Sequence, residues 1–160
     1  MDAELRSSFL EAKGRRATVL VVDDSPDIRR YLTLALEIDH YKVETASSGE
    51  EAFQRLRDGC AAAIVLLDLQ MPGMGGLETL HYLRQLRPDL KVIMCSAVED
   101  PEVMEQAARL GAQAYLVKPV QQLYLSAAVE RCLRAGCEKS ADQRLKTEVL
   151  AMVPPALRPN

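Results

Sequence analysis

Five short apolar runs alternate along the chain with segments of helical period, and this alternation restricts the possible fold more than any other feature. The runs are 17–22, 41–46, 61–67, 90–95 and 112–117. Between them, apolar residues recur at the spacing of an amphipathic helix, as in Ile28, Leu32, Ala35 and Leu36. Strands that alternate with helices are typical of a parallel sheet covered by helices. The sequence therefore predicts a doubly wound α/β domain of five βα units.

Capping residues indicate where the helices begin and end. Ser25-Pro26 is expected to begin the first helix, and Ser47 or Ser48 the second. Gly59 and Gly111 are expected to close the second and fourth helices. We expect one domain over residues 17–136, an N-terminal arm over 1–16, and a tail over 137–160 that is a free end or the start of a linker to an output region.

Charge and hydropathy exclude several classes of protein. The net charge is −3, and residues 1–16 and 137–160 each hold four basic and three acidic residues, so the predicted domain carries −5 and no basic stripe. Such a surface argues against direct nucleic-acid binding. We also expect a cytoplasmic protein that does not enter a membrane, because no apolar run approaches the ~18 residues of a span and no secretory signal is recognisable. The four cysteines form no C-x-x-C pair and are interpreted as reduced packing residues.

Polar residues stand where four of the predicted strands end. Asp23 and Asp24 follow the first strand and Asp68 follows the third, while Ser96 and Lys118 follow the fourth and fifth. Ligands of open parallel sheets bind beyond these carboxyl ends. Three neighbouring carboxylates would repel one another unless a hard cation or an ammonium neutralised them. The pattern predicts a Mg²⁺ site, with Lys118 as a fixed counter-charge.

A magnesium site of this kind predicts phosphoryl chemistry. Mg²⁺ is usually held by one or two carboxylates together with waters and phosphate oxygens. A carboxylate can itself be the nucleophile and form an aspartyl phosphate, with cations stabilising the transition state. Asp68 is the best placed nucleophile, because it ends the central strand opposite Lys118.

Taken together, these residues resemble the response regulator receiver domain of two-component signal transduction. The resemblance is carried by Asp23-Asp24, by Asp68 ahead of the stretch MPGMGG, by Ser96 before the small Ala97, and by Tyr115 and Lys118-Pro119. It covers about residues 17–136. It implies a flavodoxin-like (βα)5 fold with strand order 2-1-3-4-5.

The resemblance also implies roles for individual residues. Asp68 would be the phosphoacceptor, taking its phosphoryl group from a phosphohistidine of a sensor histidine kinase or histidine phosphotransferase. Mg²⁺ would be held by Asp23, Asp24, Asp68 and the backbone carbonyl of Gln70. Lys118 and Ser96 would contact the phosphoryl oxygens, and the bond between Lys118 and Pro119 would be cis. The domain would catalyse only its own phosphorylation and dephosphorylation, and would not be an enzyme otherwise.

The resemblance further implies a conformational switch. Phosphorylation would draw Ser96 inward, and Tyr115 would turn into the space that Ser96 leaves. The surface altered would be the fourth helix, fifth strand and fifth helix, roughly residues 98–135. A change there would control dimerisation or binding to an output partner.

Two other functions stay open at this stage. A hydrolase of the haloacid-dehalogenase type also uses an aspartyl nucleophile and Mg²⁺, although it usually carries a second Asp two residues on, where Gln70 stands in this chain. The same fold could also serve as a constitutive protein-interaction module.

Overall fold

The computed structural model describes residues 17–134, which form five parallel strands and five helices. The strands are β1 Thr18–Val22, β2 Lys42–Ala46, β3 Ala62–Asp68, β4 Lys91–Ser96 and β5 Ala114–Val117. The helices are α1 Pro26–Ile38, α2 Gly49–Arg57, α3 Gly76–Leu86, α4 Pro101–Arg109 and α5 Gln122–Arg134. The sheet order is β2-β1-β3-β4-β5, which confirms the predicted fold and strand order. The predicted N-terminal arm and tail lie outside the described residues.

The helices cover both faces of the sheet. Residues from α1 and α5 pack against one face, and residues from α2, α3 and α4 pack against the other. Successive strand residues point to opposite faces, so Ile64 and Leu66 of β3 join the first core while Val65 and Leu67 join the second. Burial on both sides explains why the central strands are continuous apolar runs instead of alternating with polar residues.

Helix caps follow the pattern that the sequence predicts. Ser25 caps α1, and its hydroxyl accepts a hydrogen bond from the backbone N–H of Ile28 at 3.4 Å. Of the two serines proposed for α2, Ser48 is the cap, accepting from the N–H of Glu51 at 3.1 Å. Gly59 and Gly111 follow α2 and α4 with positive φ values of 98° and 103°. These caps satisfy backbone groups that a helix end leaves unpaired.

Two of the cysteines are buried packing residues. Cys95 and Cys132 both belong to the core between the sheet and α1 and α5. Cys137 lies outside the described residues. Within residues 17–134, no helix has the length and apolar character needed to cross a membrane.

The start of α3 packs directly against the end of β3. The N–H of Gly76 donates to the carbonyl of Leu69 at 2.8 Å. A Cβ atom at Gly76 would lie 2.3 Å from the carbonyl oxygen of Asp68 and 2.5 Å from the Cα of Leu69. At Gly75, by contrast, the nearest atom would be 4.0 Å away. Glycine at position 76 therefore lets the helix approach the backbone of Asp68.

We expect Gly76→Ala to lower the free energy of unfolding by about 2 kcal/mol or more, because the new methyl group collides with backbone that cannot rotate away. Gly75→Ala is the matched control and should cost less than about 1 kcal/mol, the usual scale of a helix-cap change. Urea denaturation of both variants measures the difference. Equal stability of the two variants would contradict the close approach described above.

Candidate functional site

The register of the sheet brings the chemically active strand ends together. Val22 pairs with Leu67, so Asp23 and Asp68 follow paired positions on neighbouring strands. Farther along the sheet, Ser96 pairs with Val117, the residue before Lys118. The chain leaves β1 toward one face of the sheet and β3 toward the other, since α1 and α3 lie on opposite faces. This divergence opens a crevice between β1 and β3, where ligands of such folds bind.

Three carboxylates form a cluster in this crevice. One oxygen each from Asp23, Asp24 and Asp68 lies within 4.8 Å of the other two. Asp23 is 1% exposed and Asp68 is 5% exposed, whereas Asp24 is exposed to solvent. Oxygens of this kind are the ligands that hard divalent cations prefer. The cluster could therefore hold a cation that reaches it from the side of Asp24.

Lys118 provides the positive charge of the site. Its Nζ donates to Oδ2 of Asp23 at 2.7 Å and lies 3.3 Å from Oδ1 of Asp68. The Lys118 side chain is only 18% exposed, so solvent screens these pairs less than it would on the surface. One ammonium thus bridges two buried carboxylates, and the cluster retains an excess of negative charge.

The site shifts the pKa of both partners. Burial raises the pKa of Asp68, the negative charge of Asp23 raises it further, and Lys118 offsets only part of this effect. For Lys118, burial acts to lower the pKa, but the hydrogen bond to Asp23 and the charges of Asp68 and Asp23 together raise it. Burial also raises the pKa of the neighbouring Cys95 thiol to about 12, which keeps that thiol protonated. Lys118 is therefore a permanent cation, and Asp68 is a carboxylate whose charge is only partly compensated.

The two oxygens of Asp68 differ in their contacts. Oδ1 lies near Lys118 and also accepts a long hydrogen bond of 3.4 Å from the N–H of Gln70. Among the described residues, Oδ2 accepts no such bond. The described residues thus hold one oxygen of Asp68 and leave the other without a hydrogen-bond donor.

Ser96 and Tyr115 both contact the same residue, Val98. The Ser96 hydroxyl oxygen accepts from the N–H of Val98 at 3.0 Å, and the Tyr115 hydroxyl donates to the carbonyl of Val98 at 2.6 Å. Ser96 and Tyr115 are each 0% exposed. Tyr115 is therefore buried in this structure, while Ser96 keeps its own buried position. Val98, in the segment that precedes α4, is therefore bonded through its N–H to Ser96 and through its carbonyl to Tyr115.

Other site residues have their own supports. The peptide bond between Lys118 and Pro119 is cis. Arg29 of α1, which we did not predict from the sequence, donates from its guanidinium to the carbonyl of Asp23 at 2.7 Å. Oδ1 of Asp23 accepts from the N–H of Ser25 at 2.9 Å. Nothing in the sequence marks Arg29, because its contact depends on how α1 leans over the end of β1.

The structure is a doubly wound α/β domain with a carboxylate cluster and a bridging lysine at its switch point, where ligands of such sheets bind. Comparison with known proteins gives the family within that class. Residues 19–130 match the model described as "Response regulator receiver domain". The chain belongs to the response regulator receiver domain family.

Individual relatives agree with this assignment. The chain is 36% identical over 140 residues to a putative transcriptional regulator of Haloferax volcanii, a match that covers 86% of this chain and 23% of that protein. A receiver domain from Clostridium thermocellum has 32% identity and a TM-score of 0.71, covering 74% of this chain and 95% of that one. The CheX-CheY-BeF3-Mg+2 complex of Borrelia burgdorferi contains a chain with 28% identity and a TM-score of 0.70, covering 73% and 89%.

The curated relatives are longer than the matched region. The matches span between 23% and 55% of the length of eight such relatives, several of which are named as transcriptional regulators. What this chain shares with them is therefore the receiver domain.

We expect Asp68→Asn to stabilise the metal-free protein. Because the pKa of Asp68 in the folded state lies above its ordinary value of 3.8, its ionisation costs more in the folded than in the unfolded protein. This penalty grows as the pH rises from the ordinary pKa through the raised pKa of the folded state. In EDTA at pH 7.5, thermal denaturation should show a melting temperature raised by about 2–4 °C, or about 1 kcal/mol.

The control for this measurement is Asp27→Asn, which removes an exposed carboxylate from the first turn of α1. It should leave the melting temperature unchanged or slightly lower, because an acid is favourable at a helix N-terminus. A lower melting temperature for Asp68→Asn would mean that its pairing with Lys118 outweighs the cost of burial.

Proposed function

We propose that this domain is a phosphorylation-dependent signalling switch in which Asp68 is the phosphoacceptor. The donor is a phosphohistidine of a sensor histidine kinase or a histidine phosphotransferase. The observation that carries the proposal is the position of Asp68, which is buried beside the ammonium of Lys118 and the carboxylate of Asp23 and has one oxygen that accepts no hydrogen bond from residues 17–134. Because histidine kinases take their phosphoryl group from ATP, we propose that the transfer to Asp68 occurs in the cytoplasm.

The residues of the crevice fit Mg²⁺ as cofactor. Three carboxylates against one ammonium leave a negative excess that a divalent cation would offset. We propose Asp23, Asp24, Asp68 and the backbone carbonyl of Gln70 as its ligands. When bound, Mg²⁺ would neutralise phosphoryl oxygens during transfer. The solvent exposure of Asp24 leaves room for the waters that Mg²⁺ usually retains.

The transfer itself requires little from the protein beyond position and charge. An oxygen of Asp68 attacks phosphorus while the P–N bond to the donor imidazole breaks, and the bonding pair leaves with the imidazole nitrogen. Lys118 stabilises the charge on the phosphoryl oxygens, since its Nζ already lies 3.3 Å from Asp68. Ser96, at the end of β4, donates its hydroxyl to a phosphoryl oxygen. Hydrolysis of the acyl phosphate returns the carboxylate.

The contacts of Val98 support a route from this site to a distant surface. If Ser96 turns to donate its hydroxyl to a phosphoryl oxygen, its own oxygen would move away from the N–H of Val98, and Tyr115 is bonded to the carbonyl of the same residue. Val98 lies three residues before α4. We propose that phosphorylation shifts the balance between two arrangements of this segment and so changes the α4–β5–α5 face, which controls dimerisation or an output partner.

The phosphoacceptor role is tested by incubating the protein with acetyl phosphate and Mg²⁺ and separating it on a Phos-tag gel. The wild type should show a retarded band, and Asp68→Asn should abolish it because the substitution removes the proposed nucleophilic carboxylate. Asp27→Asn should be retarded like the wild type. A wild type that shows no retarded band and binds no Mg²⁺ would remove the basis of the proposal, and turnover of acetyl phosphate without an accumulated retarded band would indicate a hydrolase instead.

The switch is tested with beryllofluoride, which imitates a phosphoryl group, by size-exclusion chromatography and partner binding. Beryllofluoride should shift elution or partner affinity of the wild type. Tyr115→Phe should weaken that response severalfold, because it removes only the hydroxyl that bonds Val98. Tyr82→Phe, at an exposed tyrosine of α3, is the control. Unchanged elution and partner binding in the wild type would favour a constitutive interaction module.

A further inference from the structure

The loop that joins β3 to α3, residues 69–75, carries the proposed carbonyl ligand and is held at both ends. At its start, the carbonyl of Leu69 accepts from Gly76 and the N–H of Gln70 reaches Asp68. In its middle, Met71 is buried in the core between the sheet and α2, α3 and α4. The rest of the loop, including Gly73 and Met74, lies nearer the surface. Contacts from other elements can therefore reach the outer part of the loop, residues 72–75.

Glu50, in the first turn of α2, supplies that contact. Its Oε1 accepts a hydrogen bond from the backbone N–H of Met74 at 2.8 Å, across 24 positions of sequence. The same oxygen lies against Gly73, where a Cβ atom would be only 2.8 Å from it. Gly73 also has a φ of 76°, which favours glycine. The loop and the carboxylate thus fit each other at two successive residues.

The next residue along α2 offers a comparison. Glu51 belongs to the same helical turn, but its carboxylate bonds to Ser47 and to Arg55 within its own segment. Glu50 reaches outward to the loop instead. Backbone hydrogen bonds, first its own and then that of Met74, lower the pKa of Glu50, so it is ionised at neutral pH and bonds Met74 as a charged acceptor.

We infer that Glu50 is a positioning residue for the cation site, fixing the loop so that the Gln70 carbonyl stays aligned with the carboxylate cluster. The inference rests on the proposed function, in which this carbonyl is a Mg²⁺ ligand. Glu50 does not touch the cation or the phosphoryl group. It reduces the conformational freedom that the loop would otherwise lose when Mg²⁺ binds, which raises affinity.

The first measurement is independent of metal. Amide hydrogen exchange followed by NMR in EDTA should show faster exchange of the Met74 N–H in Glu50→Ala than in wild type. Glu51→Ala is the matched control, since it removes a carboxylate from the same turn without touching the loop, and it should leave Met74 exchange unchanged. Melting temperatures of both variants show whether either substitution disturbs the fold as a whole.

The second measurement is Mg²⁺ affinity by titration calorimetry. Glu50→Ala should raise the Kd about 3- to 10-fold, less than the 10- to 100-fold typical of residues bonded directly to a metal ligand. Glu51→Ala should change it less than about twofold, and Glu50→Gln should recover part of the loss because its amide oxygen can still accept from Met74.

The outcomes separate the two proposals. A wild type without Mg²⁺ affinity contradicts the proposed function itself. A wild type that binds Mg²⁺, together with an unchanged Kd in Glu50→Ala, overturns the role of Glu50 alone. Equal losses in Glu50→Ala and Glu51→Ala also overturn it, because they would reflect the stability of α2.

Discussion

The ammonium of Lys118 lies between two buried carboxylates, and the arrangement of the site depends on that bridge. Asp68 ends β3, while Asp23 and Lys118 directly follow β1 and β5, so each ion pair joins parts of the chain that are far apart in sequence. Burying either carboxylate without a partner would cost several kcal/mol. The sheet supplies the partner by aligning the ends of β1, β3 and β5 on one edge. Because one cation faces three acids, the balance is incomplete, and the crevice favours a further positive charge.

This incomplete balance sets function against stability. A carboxylate with a raised pKa weakens the fold at neutral pH, and the apolar strands on either side of it must offset that cost. Gly76 also packs against the backbone of Asp68. It brings the start of α3 close to the backbone of Asp68, and it leaves no space for a side chain at position 76. The buried strand β3 can end in the charged Asp68 because Lys118, which follows β5, lies close enough to form an ion pair with it.

The site also has supports that do not take part in its chemistry. Arg29 holds the carbonyl of Asp23, Glu50 holds the N–H of Met74, and Tyr115 holds the carbonyl of Val98. Each of these side chains bonds to the backbone of a segment that bears a site residue. Backbone contacts of this type fix a loop without adding a new reactive group. They also give α1, α2 and β5 separate connections to the segments that line the crevice.

The sequence by itself determined the fold class and the main residues of the crevice. Hydrophobic period is a local property, so five βα units could be recognised directly, and parallel strands bring their carboxyl ends to one edge, which gathers Asp23, Asp24, Asp68 and Lys118. The roles expected for Gln70 and Tyr115 followed only from the family resemblance. Only the tertiary structure decided which oxygen of Asp68 is held, that Ser96 and Tyr115 share Val98, and that Glu50 reaches Met74. Those contacts depend on how helices lean on the sheet and how loops close, and packing between distant segments sets both.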